Sequence, residues 1–567
     1  MSKAERRRAF LLLLLLVAAL VVGRLPLRDG PITAPTPTLG PGGAPQPTNP
    51  SETPTLTNGQ PGTNTGSVSV DAHRPMNRVT HQSMGINAAV YDSYMDDPAS
   101  VNYYRSANIG TVRYPGGQTG DNYDWQDNRQ FVGANGQPPY QYSAANSFDN
   151  FMAALANAHA VPFLTTDYLY GGTPQLTTDW MTYVITKGYT TATDFEVGNE
   201  LYFHKPSGVS DADFVDSYAN FVITAVTGLR KAYPNSHIKV FVPFDIDHNY
   251  AMLDAHSDST WNGPVVKRLC SYIDGIDAHF YPQGPSTAAN PWSESDANLL
   301  TTTDRYMPGQ MAYMHKIIDT NCPSKAATMR IIIGEMNATS YTPGKIESNL
   351  PNALFAADAY LKWMELGVES VQWWTMRNGG QNDGFQGNAA NPIFGQYSPG
   401  DYGVLSSGTN GEAPIGALFP PGNGLKMAGY TVGVGGNTIS ATSSITQVAV
   451  HAIKRDDGTL AVLLENRDPR RQYNVTINLT GFTPTAIGTL YTLGMNGPNA
   501  ASDTITTTQV TGLGTSFMRN VQPYSLNILV MASPGAAAPT RFPTTVTPTA
   551  ALSHTSSTEH TATTPGR

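Results

Sequence analysis

The sequence predicts an α/β chain: a (β/α)8 TIM barrel followed by a β-sandwich, the pair flanked by disordered low-complexity tails. Three observations predict it. Between residues 67 and 436, eight short apolar runs alternate with helix-periodic segments, the pattern of a parallel barrel. From residue 437 the apolar period drops to two, with turn signals between runs. Toward both ends, Pro, Thr, Gly and Ser or Asn displace large apolar residues, and that composition builds no core.

The elements follow in order. Arg6, Arg7 and Arg8 precede an apolar run over 9–23, so 1–29 reads as a signal peptide or an uncleaved signal anchor. The run is shorter than the ~18 residues of a spanning helix. Export, with secretion or anchoring at the cell surface, is the expectation. Residues 30–66 read as a Pro/Thr-rich linker and 534–567 as a Thr/Pro-rich tail. Barrel strands are expected at 84–90, 111–114, 161–166, 194–197, 238–243, 275–281, 330–334 and 370–375. Helices are expected at 98–107, 147–160, 174–187, 211–232, 265–273, 307–320 and 350–366, with an eighth near 416–429. No Gly-rich phosphate loop follows the first strand, which disfavours a doubly wound nucleotide-binding sheet. In the sandwich, 437–533, strands are expected at 448–454, 460–466, 473–479, 487–493 and 525–531, with Asp456-Asp457-Gly458 as a hairpin turn. The short run 67–70 precedes the barrel and needs a sheet edge, so it is a candidate to join the sandwich.

Composition narrows the function. The 567 residues are 40% hydrophobic, enough for a large core, and only 14% charged, with a net charge of -9. A nucleic-acid partner calls for a basic surface, so none is expected. Two cysteines, Cys270 and Cys322, cannot build a metal framework without a nearby His cluster. They lie at the ends of two helices that neighbour in a barrel, so a disulfide and two free buried thiols both remain open. No metal, cofactor or protein partner is implied; the N-terminal apolar segment is a candidate membrane tether.

Chemistry on such barrels sits at the C-terminal strand ends. FEVGNEL, 195–201, is a buried strand that breaks into Asn199 and Glu200. RIIIGEMN, 330–337, places Glu335 directly after a β-branched run. By count these are strands four and seven, which face one another across the mouth. Paired carboxyls at such a mouth are the acid/base and nucleophile of retaining glycoside hydrolysis. Glu196 shares the parity of Glu200, yet reads better as a hydrogen-bonded residue of the barrel interior.

GNE on strand four with Glu335 on strand seven resembles the retaining (β/α)8 glycosidases of clan A. VRYPGG at 112–117, YDW at 123–125 and HFY at 279–281 resemble segments of α-L-arabinofuranosidases. The resemblance implies that Glu200 is the acid/base and Glu335 the nucleophile. It also implies that Asn199 binds the sugar 2-hydroxyl and that Tyr281 touches Glu335. Arg113, ending strand two, is expected to hydrogen-bond Glu335. His279 is expected at the substrate, with a satisfied core histidine that only orients its neighbours as the alternative, and Trp374 rather than Trp373 is expected to face the sugar. GEMNATSY and QWWTMRNGG depart from the arabinofuranosidase pattern. The sugar therefore stays open among α-L-arabinofuranoside and the substrates of a β-xylosidase, an endo-glycanase or a β-glucuronidase, with a non-catalytic carbohydrate-binding protein as the competing class. The Gly- and Asn-rich loop 378–400 is expected to shape the cleft. The partner throughout is a carbohydrate, of plant polysaccharide or oligosaccharide type.

Overall fold

The computed structural model describes residues 64–133, 137–246, 258–283, 295–340, 349–379, 401–409, 412–494 and 504–535. The segment 1–63, the tail beyond 535 and loop positions 380–400 lie outside them. Among the described residues no helix is long and apolar enough to cross a membrane.

Eight parallel strands close the barrel in chain order: Met84–Asn87, Thr111–Tyr114, Val161–Thr166, Asp194–Val197, Lys239–Phe244, Gly275–Phe280, Arg330–Met336 and Ser370–Trp373. The eighth pairs with the first, Val371 opposite Met84. The first strand is shorter than the apolar run that predicts it. Beyond Asn87 the chain still bonds to the second strand's side, Ala88 N–H to the Arg113 carbonyl at 2.9 Å and Val90 N–H to the Pro115 carbonyl at 2.8 Å. Several helices start on side-chain caps: Asp97 accepts from Ser100 N–H, Thr173 from Leu176 N–H and Ser210 from Asp213 N–H. A helix over Asp296–Arg305, absent from the expectation, precedes Met307–Asn321.

Alternation along the strands fills the barrel in layers. Phe163, Phe241 and Ile332 form a small apolar cluster in its interior. The strands between them, two, four and six, contribute Arg113, Glu196 and Asp277, which pair in register with Phe163, Phe241 and Ile332 and are all essentially inaccessible. Strict alternation from Ile332 turns Gly334 inward and Glu335 outward. A register shift between Ile333 and Glu335 breaks that alternation, which is how a bulge re-aims a side chain.

The C-terminal domain is one nine-stranded sheet ordered Thr506–Thr511, Ile487–Gly494, Ser525–Met531, Leu460–Asn466, Val448–Arg455, Gly436–Ser443, Thr65–Val79, Tyr473–Thr480, Ser516–Val521. Residues from widely separated strands, Val68, Val462, Ile477, Phe517 and Met531, share one core cluster, so the sheet curls over itself into a sandwich. Thr65–Val79 pairs parallel to Tyr473–Thr480 and antiparallel to Gly436–Ser443. The N-terminal run is thus an interior strand of the C-terminal domain.

Side chains from both domains meet in a buried charge cluster. His451 on Val448–Arg455 places Nε2 at 2.6 Å from Asp358 and Nδ1 at 2.7 Å from Glu365, both on helix Leu350–Leu366. Arg467 reaches Asp358 at 2.6 Å, Asp304 at 2.7 Å and Glu465 at 2.9 Å. Cys270 and Cys322 form a disulfide with Cα atoms 5.3 Å apart.

Candidate active site

Glu200 and Glu335 converge at the mouth. One oxygen of each, and one ring nitrogen of His279, all lie within 4.8 Å of one another. Glu200 follows Gly198 (φ +81°) and Asn199 and itself holds φ +45°. This left-handed turn swings its side chain out of the strand alternation, and it is a conformation a non-glycine residue adopts only when its surroundings hold it there. The Glu200 side chain is 26% exposed and that of Glu335 7%.

The two carboxyls sit in different company. Glu335 Oε1 accepts from Arg113 Nη1 at 2.7 Å, and Oε2 accepts from the Tyr281 hydroxyl at 2.7 Å. Glu200 Oε1 has His279 Nδ1 at 2.8 Å, and the same nitrogen is 3.7 Å from Glu335 Oε2. Burial raises the Glu200 carboxyl above its ordinary range, with His204 and Arg113 opposing and Asp245 assisting. Burial lowers His279, against the pull of Glu335. Both shifts run in the direction that favours a proton on the carboxyl beside a neutral imidazole.

Arg113 organises the floor of the site. Its guanidinium donates to Glu196 Oε2 at 2.7 and 3.2 Å, to Asn87 Oδ1 at 3.0 Å, to Asn199 Oδ1 at 2.7 Å and to Glu335. Burial opposes its charge, but Glu196, Glu335 and Asp277 outweigh that and hold it cationic. Glu196 also accepts from the Thr165 hydroxyl at 2.9 Å. It is a hydrogen-bonded interior residue, as expected despite the parity it shares with Glu200. Because Asn199 spends its oxygen on Arg113, its Nδ2 faces no acceptor among the described residues. That leaves one buried donor beside the paired carboxyls, and such a donor calls for a polar partner.

Trp374 is half-buried and lies against Gly117, where a Cβ would come within 2.5 Å of its ring. Trp373 is inaccessible and packs toward Tyr360 and Phe355. The structure therefore brings Glu200, Glu335, Asn199, Arg113, His279 and Tyr281 together and sets Trp374 at the rim. Of the loop 378–400, Asn378 and Gly379 are described, and the Asn378 side chain accepts from the exposed Tyr91 hydroxyl at 3.0 Å; positions 380–400 lie outside the described residues. Sequence reasoning missed Asn87 and Asp121. Asn87 Nδ2 donates to the carbonyls of Gly334 at 2.8 Å and Trp373 at 3.2 Å, tying strand one to strands seven and eight. Asp121 accepts from Asn199 N–H at 2.9 Å. Neither stands in a pattern that announces it.

No family model matches the chain, and no curated protein sequence matches it. Solved structures do. A family 51 α-L-arabinofuranosidase from Thermotoga petrophila superposes with a TM-score of 0.61 at 17% identity, covering 82% of this chain and 100% of that one. A family 51 arabinofuranosidase from Xanthomonas axonopodis gives 0.60 at 15%, with the same coverage. A family 44 xyloglucanase from Paenibacillus polymyxa gives 0.58 at 12%, covering 83% and 100%. The chain has the barrel-plus-sandwich fold of these glycoside hydrolases.

Proposed function

We propose that the protein is an exported retaining glycoside hydrolase, α-L-arabinofuranosidase-like, that works by double displacement. The observation carrying the reading is that one carboxyl oxygen of Glu200 and one of Glu335 lie within 4.8 Å of each other. Retaining enzymes hold their carboxyls about 5–5.5 Å apart, whereas inverting ones leave about 6.5–9.5 Å for a water between them. The carboxyls' surroundings support different roles. Glu335, held and aimed by Arg113 and Tyr281, attacks the anomeric carbon as the glycosidic C–O bond breaks. Glu200, kept protonated by burial, gives its proton to the departing oxygen. In the second half Glu200, now a carboxylate, takes a proton from water, whose oxygen displaces Glu335 from the sugar. Asn199 Nδ2 supplies a donor to the sugar 2-hydroxyl, an interaction that strengthens as positive charge develops at the anomeric centre.

The similarity to arabinofuranosidases and the RYPGG and YDW segments favour α-L-arabinofuranosides. The similarity to a xyloglucanase and the sequence departures at strands seven and eight make another glycosidase of the same clan the second reading. Aryl α-L-arabinofuranosides, β-xylosides, β-glucosides and β-glucuronides offered in parallel distinguish them. Glu335→Ala is expected to lower turnover by ~10⁴-fold or more. Adding azide should restore cleavage, with a glycosyl azide of inverted configuration as product. Turnover that survives Glu335→Ala refutes the nucleophile assignment, and no turnover of any aryl glycoside by the wild type refutes the enzyme reading. Export predicts that the native chain fractionates outside the cytoplasm.

A further inference from the structure

We infer that Asp121, far from either carboxyl in sequence, is the positioning residue for the proton donor; the inference rests on the reading of Glu200 as the general acid. Three backbone polar groups of the strand-four turn are held from outside. The Val197 carbonyl accepts from the buried Tyr218 hydroxyl at 2.7 Å, and Gly198 N–H donates to the Thr166 carbonyl at 2.8 Å. Asn199 N–H, the last donor before Glu200, has no strand partner, because pairing with strand five ends at Glu196. Asp121 Oδ2 takes that donor at 2.9 Å, while Oδ1 accepts from Tyr168 N–H at 3.4 Å. Asp121 is itself inaccessible and sits in the short helix Gly117–Asn122 after strand two.

That helix is wedged in place. A Cβ on Gly117 would meet the Trp374 ring at 2.5 Å, and one on Gly120 would meet the Thr165 methyl at 2.9 Å. A rigid segment thus delivers one acceptor to the peptide that precedes the left-handed Glu200. Without it, the Asn199 peptide is free to rotate and relax the φ of +45°, which moves the Glu200 carboxyl away from His279 and the leaving group. Burial and the neighbouring Asp167 push the Asp121 carboxyl upward, against the Asn199 and Tyr168 N–H groups, and the acceptor the Asn199 N–H uses is a single side-chain oxygen. An asparagine supplies the same oxygen.

The test compares phenyl and dinitrophenyl glycosides of the sugar the wild type cleaves, with Asp121→Leu, Asp121→Ala, Asp121→Asn and, as control, Glu200→Ala. Phenolate needs protonation to leave and dinitrophenolate does not. Asp121→Leu, which keeps the bulk and removes the acceptor, is expected to lose about 10²-fold in kcat/KM on the phenyl glycoside, the cost typical of a misplaced catalytic group. On the dinitrophenyl glycoside it should lose less than about 3-fold, because a leaving group that departs unprotonated needs no general acid. Asp121→Asn should restore the phenyl rate. The ratio of the two rates cancels the folded fraction, so a poorly folding variant still reports, and Asp121→Ala repeats the measurement. Equal losses on both substrates, no loss on either, or an Asn variant as impaired as Leu overturns the proposal. If Glu200→Ala shows the leaving-group split and Asp121→Leu does not, the positioning role alone fails. If Glu200→Ala shows no split, the reading of Glu200 fails and takes the proposal with it.

Discussion

Titrating His451 should weaken the union of barrel and sandwich, and the size of the effect can be worked out. Both ring nitrogens of this 2% exposed histidine face carboxylates, Asp358 and Glu365, so the ring is an imidazolium donating twice. The other charges facing the cluster are Arg467, Glu465, Asp304 and Lys362. Burial opposes the His451 charge, but Glu365 and Asp358 outweigh it, raising the group from 6.5 to about 9. A histidine raised on folding contributes stability in full below its unfolded pKa of 6.5 and loses it as pH rises through about 9. At about 1.4 kcal/mol per pH unit of that displacement, the contribution is about 3 kcal/mol. Urea unfolding of wild type and His451→Gln at several pH values between 6 and 10 measures it. The gap between them should be widest at pH 6 and close toward pH 10. Glu465, also raised by burial to about 8, adds a slope of the same sign that persists in the variant. Curves that run parallel through this range would refute the imidazolium assignment.

Three further perturbations follow from the geometry. Arg113→Met leaves Glu196 buried without its cation and should cost about 3–5 kcal/mol of stability in a denaturant titration; an unchanged midpoint would show that the pair does not hold the barrel floor together. Gly334→Ala sets a Cβ about 2.1 Å from Asp277 Oδ2 and should destabilise by about 1–3 kcal/mol, as overpacking does; a thermal melt that matches wild type would mean the strand-seven bulge yields freely. Replacing Cys270 and Cys322 by serine opens a loop of 52 residues and should cost about 4 kcal/mol on the chain-entropy estimate, read as the difference in unfolding midpoint against the oxidised wild type.

What the sequence made legible and what it hid divide along physical lines. Glu200 and Glu335 stood out because each follows a β-branched or aromatic run and breaks it with charge, a signal confined to neighbouring residues. Barrel strands at 111–114, 161–166 and 194–197 were readable to the residue for the same reason. Sandwich strands Gly436–Ser443, Thr506–Thr511 and Ser516–Val521 were not, since none carries a full apolar alternation and Thr506–Thr511 is largely exposed; pairing with neighbours decides them. Asp121 was invisible because its partner is a backbone N–H 78 positions away. Asn87 was invisible because it bonds carbonyls of strands that close the barrel from the far end of the chain. The bulge that turns Glu335 inward also leaves no mark beyond the glycine before it.

The strand Thr65–Val79 bears on how this protein can be taken apart. It lies between Gly436–Ser443 and Tyr473–Thr480, so the C-terminal sheet is split down its middle if the chain is cut after the barrel. Val68 and Val70 go with it, and both are fully enclosed in the sandwich core. Thr65 meets Asn474 and Val79 meets Gly436, so a ribosome releases the first piece of this sheet hundreds of residues before its neighbours exist. Until synthesis nears completion, the leading strand has no partner, and the barrel must fold with it hanging free. The chain is therefore a single cooperative unit by connectivity, whatever its two-lobed shape suggests. A barrel trimmed at residue 436 would expose an orphaned edge strand, and a sandwich grafted onto another barrel would have to carry residues 65–79 as a donated strand.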